Sequence, residues 1–160
     1  GANVVGVAGE SNTMYLGQVG TQTRAFIAGV RGITTGMADA VDVVIDSDGQ
    51  LGTVSSSRRY KKDIQDMGRA SAGLLDLRPV TFRYTQAFAD GATPIQYGLI
   101  AEEVAEIYPD VVVYNDAGQA ETVQYRKVNA MLLNEVQRQH RQIEALLTRL
   151  AAVERRLDTN

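Results

Sequence analysis

With 160 residues, a net charge of −3 and a pI near 5.2, the chain has room for one ordinary domain, or a small domain with extended appendages, and lacks the concentrated basic face of a nucleic-acid binder. It has no cysteine, which excludes disulfides, thiolate nucleophiles and cysteine-bound zinc. No cofactor fingerprint occurs, and no apolar run reaches the roughly 18 residues of a membrane span, so neither a cofactor nor a membrane is expected as a partner.

Ten of the fifteen glycines fall in the first 52 positions, whereas the three prolines are Pro79, Pro94 and Pro109. This uneven distribution divides the chain into 1–55, 56–125 and 126–160, and its β-like opening reads as part of something longer. In the first part, short β-prone runs end at turn formers: Val4–Val7, Met14–Gly17, Ala25–Val30 and Val41–Asp46, the last followed by Ser47-Asp48-Gly49. Tyr15 and Phe26 are the only aromatics before Tyr60. Strands with so little to bury are stabilised most easily against copies of themselves, which predicts an interchain β stalk resembling a triple β-helix or β-prism, the alternative being a small β-sandwich edge of an upstream domain.

The second part has mixed character. Ile64, Met67, Ala70, Leu74 and Leu77 lie close to a 3.6-residue period, which predicts a helix or helical turn interrupted near Gly68 and Gly73 and stopped before Pro79. Val80–Tyr84 alternates like a strand, and Tyr97–Ile100 reads as a strand feeding a short helix, Ala101 to Tyr108. Val111–Tyr114 and Thr122–Tyr125 flank a turn-rich Asn115–Gly118, which predicts a hairpin.

From Lys127 onward Leu132, Val136, Gln139, Ile143, Leu146, Leu150, Val153 and Leu157 alternate in steps of four and three, the heptad seam of a coiled coil with one polar position at Gln139. The lone histidine, His140, sits beside that seam with no partner expected at ligand spacing, so it reads as a surface or seam-edge residue and no metal site is expected.

At the junction of the first two parts stands Ser55-Ser56-Ser57-Arg58-Arg59-Tyr60-Lys61-Lys62. A serine hydroxyl needs a base to become a nucleophile, and a lysine serves when burial or neighbouring cations lower its pKa. Ser56 with Lys61 and Ser57 with Lys62 share one spacing, so spacing leaves both pairs open.

The surrounding motifs separate them. Ser56-x-x-Arg59-x-Lys61 with Ile64, Leu77-x-Pro79-x-x-Phe82-x-Tyr84, Gly98-Leu99-Ile100-Ala101-Glu102-Glu103-Val104, Pro109-x-Val111 and Val123-x-Tyr125 follow one another before a C-terminal helix. In that order they resemble the intramolecular chaperone family at the C-terminus of phage tailspikes and tail fibres, the endosialidase-type S74 peptidases. The chain departs from the family pattern at Ser57, where Asp is common, and at Glu102, where Gln is common.

The resemblance implies an α+β homotrimer in which a small α/β chaperone domain and a coiled-coil helix assemble an upstream stalk of the same chain. It further implies a Ser56/Lys61 dyad that cuts the bond between Ser55 and Ser56 and releases residues 56–160, with Arg59 and Glu103 as possible supports. The expected setting is a phage virion, or alternatively a bacterial surface fibre. Competing readings are a trimerisation cap that is never cut, and a glycan-binding tip using Tyr15, Tyr84 and Tyr97.

Overall fold

The computed structural model describes residues 8–17 and 21–158, so the predicted run Val4–Val7 lies outside the described residues. The chain divides into two units, Gly1–Lys61 and Lys62–Asn160.

In the first unit the described residues contain a single pair of strands, β1 (Val44–Ile45) and β2 (Leu51–Gly52), antiparallel with Val44 opposite Gly52. The turn between them follows from Asp46. Its carboxylate accepts the N–H groups of Asp48 (3.1 Å) and Gln50 (2.9 Å), and Gly49 supplies a φ of +82°. The runs Met14–Gly17 and Ala25–Val30 form no strand. A strand requires a neighbour for its N–H and C=O groups, and one copy provides none there: Phe26 is 87% exposed.

The second unit carries the core. Its first ordered element is a 3-10 helix, Ala72–Asp76, ended at Leu77 by extended geometry two residues before Pro79. The longer helix expected from Ile64 does not form. Gly68 takes a φ of +55°, the following turns close by i→i+3 bonds such as Ala72 N–H to Arg69 O (3.0 Å), and Leu74 alone of the periodic residues is buried.

Strands β3 (Val80–Phe82) and β4 (Gln96–Gly98) pair antiparallel, and α1 (Ala101–Ile107) follows at once and ends before Pro109. After a 3-10 turn at Pro109–Val111, β5 (Val112–Tyr114) and β6 (Ala120–Val123) form the predicted hairpin, with a bulge between Val113 and Tyr114. Its turn is built by Asn115, whose side-chain oxygen accepts the N–H groups of Ala117 and Gln119, each at 3.0 Å. Tyr125, expected to end the second strand, instead begins α2 (Tyr125–Leu157), a helix of 33 residues.

Leu74, Val104, Val111, Val112, Val123 and Val128 form the core, edged by Leu77, Leu99, Ala105, Tyr108 and Met131. Two tyrosine hydroxyls tie the periphery to it. Tyr108 donates to the Ala70 carbonyl at 2.9 Å, and Tyr125 accepts the Leu99 N–H at 3.1 Å. Each stands over a glycine: a Cβ on Gly73 would lie 2.9 Å from the Tyr108 hydroxyl, and one on Gly98 would lie 2.9 Å from the Tyr125 hydroxyl.

Gly98→Ala is therefore expected to destabilise the second unit by about 1–3 kcal/mol through overpacking. Adding Tyr125→Phe removes the clashing hydroxyl, so the double variant should lose less than the sum of the two single variants. Denaturant unfolding of all four chains measures that coupling.

Candidate functional site

Residues 55–61 belong to the first unit and form a tight, solvent-exposed turn. Ser57 caps a 3-10 helix, Arg58–Tyr60, with its side-chain oxygen accepting the Arg59 N–H at 3.4 Å. One step earlier the Ser55 oxygen accepts the Ser57 N–H at 3.2 Å. Two of the three consecutive serines are thus committed to holding the backbone. Ser56 is the one whose hydroxyl makes no hydrogen bond among the described residues.

The turn exposes its cations. The Arg59 guanidinium lies 5.8 Å from the centre of the Tyr60 ring, a cation–π contact at the surface, and Tyr60 is 73% exposed. Lys61 closes the turn with its backbone N–H on the Arg58 carbonyl at 3.1 Å, while its side chain is exposed. Ser56 and Lys61 share this turn, and no hydrogen bond joins them among the described residues.

Glu103 belongs to the second unit. Its carboxylate is engaged by Arg78 in a two-pronged pair, with Nε donating at 3.1 Å and Nη2 closing the second bond. The cation oriented by Glu103 is therefore Arg78, a residue the sequence motifs pass over. Both side chains are substantially exposed, so the pair adds little to stability.

Of the tyrosines considered for a glycan platform, Tyr15 donates its hydroxyl to Glu10 at 2.6 Å. Tyr84 stands edge-to-face between Phe82, at 5.4 Å, and Phe88, at 5.9 Å. Tyr97 is 81% exposed. His140 does have a carboxylate neighbour, contrary to the expectation above: Glu144, one helical turn on, lies 3.3 Å from its Nε2. Both are exposed, which keeps His140 a surface residue.

Sequence reasoning missed one polar cluster entirely. Glu135 and Ser71 are 3% and 0% exposed, and they are the buried polar residues of the described chain. A Glu three positions before an Arg on a helix is a readable pair. Its burial against Ser71, far off in the sequence, is not.

These features define a small α+β unit that ends in a long helix and is preceded in the chain by a serine- and lysine-bearing turn. Residues 56–113 match the family described as chaperone of endosialidase, peptidase S74. Over that stretch the chain is similar to the endosialidase-type chaperone family. The match begins at Ser56 and ends at Val113, so β6 and α2 lie beyond it. No curated protein matches the chain.

Ser57→Ala removes the cap of the 58–60 turn, a loss of about 1 kcal/mol for a side-chain cap. The amides of Arg59 and Tyr60 are then expected to exchange about fivefold faster, read by amide hydrogen exchange, while the second unit keeps its exchange pattern.

Proposed function

We propose that the chain is an intramolecular chaperone that assembles three copies of its own upstream β stalk and then releases residues 56–160 by cutting between Ser55 and Ser56. The observation that carries this reading is the surface of α2. Beyond Met131, the seam residues Leu132, Val136, Ile143, Leu146, Leu150, Val153 and Leu157 are each 47–70% exposed in one copy. An apolar stripe at heptad spacing over roughly 40 Å of helix is covered by like helices in a coiled-coil bundle.

Assembly of the helices raises the effective concentration of three stalks whose described runs Met14–Gly17 and Ala25–Val30 lack partners within one chain. Stalk pairing has high contact order and is slow, so a template that assembles first shortens the search. Cleavage afterwards leaves the stalk kinetically trapped. The virion of a phage, in a tail fibre or tailspike, is the setting that similarity to this family favours; a bacterial surface fibre is the alternative.

In the cleavage step the Ser56 hydroxyl oxygen bonds to the Ser55 carbonyl carbon while Lys61 takes the hydroxyl proton. The carbon–nitrogen bond between Ser55 and Ser56 breaks, and Lys61 returns the proton to the departing amine. Water then hydrolyses the ester, leaving a Ser55 carboxylate and restoring the Ser56 hydroxyl. The engagement of Ser55 and Ser57 in backbone capping supports Ser56 as the nucleophile. A lysine base requires a drier or more cationic setting than an exposed turn. Arg58, Arg59 and Lys62 are neighbours in sequence, and burial would come from the other copies.

The exposed, unjoined state of Ser56 and Lys61 in one copy equally favours a second reading, a trimeric cap that is never cut. The two separate on one measurement. Denaturing and native mass of the same sample should give a trimer whose chains are cut after Ser55, whereas Ser56→Ala and Lys61→Ala remain trimeric and whole. A folded trimer of intact parent chains establishes the cap instead, and a folded monomer removes both readings.

A further inference from the structure

Residues 67–76 lie on α2 with almost no apolar purchase. Leu74 is buried, but Met67 is 37% and Leu75 66% exposed. Polar bonds hold the segment instead. Asn134 Nδ2 donates to the Gly68 carbonyl at 3.0 Å and to the Ser71 hydroxyl at 2.7 Å. The Ser71 hydroxyl donates onward to Glu135 Oε2 at 3.4 Å, and Tyr108 holds the Ala70 carbonyl at 2.9 Å.

Glu135 is the centre of this arrangement. Arg138 clamps it with Nε on Oε2 at 2.9 Å and Nη2 on Oε1 at 2.6 Å, and Gln139 Nε2 adds a bond to Oε1 at 3.2 Å. A carboxylate that is 3% exposed is tolerable only while its charge is paired and its oxygens are hydrogen-bonded. Gln139, which heptad spacing assigns to the seam, is thereby turned to a partner in its own chain.

We propose that Glu135 is the bolt of an acid-releasable clasp that holds residues 67–76 on α2, a segment beginning six positions after Lys61. Arg138 is the cation bonded to it on α2, and from the 67–76 segment, which also carries Arg69 and Asp76, the side chain bonded to it is the uncharged Ser71, so Glu135 is the carboxylate in the bonds that make the clasp.

The Arg138 hydrogen bond holds the Glu135 carboxyl below the usual carboxylate range, with Gln139 and Ser71 assisting and burial opposing. A carboxyl depressed in the folded state contributes stability above its unfolded pKa. That contribution disappears as the pH falls through the folded value, below the ordinary carboxylate range. Protonation removes the charge that strengthens the two Arg138 bonds and weakens the acceptor to which Ser71 donates. The clasp stands whether or not the Ser55–Ser56 bond is cut.

The test uses the full chain carrying Ser56→Ala, so that one species is present at every pH, with and without Glu135→Gln or Ser71→Ala. Amide hydrogen exchange is followed by mass for peptides covering 67–76 and, as internal reference, 112–123, from neutral pH to below the carboxylate range. In the parent, protection of 67–76 should fall at least about tenfold on acidification while 112–123 stays protected. Glu135→Gln should show that loss already at neutral pH and be flat with pH. Should it fail to fold, Ser71→Ala, which spares the ion pair but cuts its link to the segment together with one Asn134 bond, should lower protection of 67–76 alone and leave it flat with pH. Equal protection of 67–76 in parent and Ser71→Ala overturns the clasp, as does an acid loss that strikes 67–76 and 112–123 together.

Discussion

Leu74, Val104, Val111, Val112, Val123 and Val128 are all the apolar interior that the described chain closes off, and apart from Leu74 they are valines. Fully burying such a side chain is worth about 1.5–3 kcal/mol, so a core of this size stabilises one small unit and leaves nothing to organise a long helix or the glycine-punctuated first unit. Everything outside it must find another source of order. In the first unit that source is local, as when Asp46 wraps a turn or Ser57 caps one. Along α2 it is the helix's own backbone, with its apolar stripe facing water in a single copy.

Polar bonds take over at the margins of this small core. The Tyr108 and Tyr125 hydroxyls each fix a loop beside a glycine that admits them, which gives Gly73 and Gly98 a packing role rather than a turn role. The Glu135 cluster does the same for residues 67–76. Polar attachment is directional and specifies one geometry, whereas a few buried methyl groups would permit several. It is also conditional on protonation in a way that apolar burial is not. On the proposed reading, the segment leading away from the Ser56/Lys61 turn is thus tied to the assembly helix by the attachment most sensitive to acid.

Elements governed by neighbours in sequence were legible. The stop before Pro109, the Asp46 and Asn115 turns, the β5–β6 hairpin and the periodicity of α2 all rest on interactions within a few residues. Where tertiary partners intervene, the reading slipped. Ile64 to Leu77 has helical periodicity, yet with Ile64 exposed and Gly68 at positive φ only one 3-10 stretch survives. Tyr125 alternates like the end of a strand, but its hydroxyl is needed at Leu99 and its backbone opens the helix. The described runs Met14–Gly17 and Ala25–Val30 stay unpaired because strand pairing needs a second strand, which propensity cannot supply.

For the site, the order of motifs from Ser56 to Val113 was enough to reach the chaperone family and to favour one serine of three, because such motifs keep their spacing along the chain. The commitment of Ser55 and Ser57 to capping, the pairing of Glu103 with Arg78, and the burial of Glu135 against Ser71 could emerge only in three dimensions. Each is a hydrogen bond whose direction is set by the fold. A residue's type lists the bonds it is able to make, and the folded backbone selects which of them it does make.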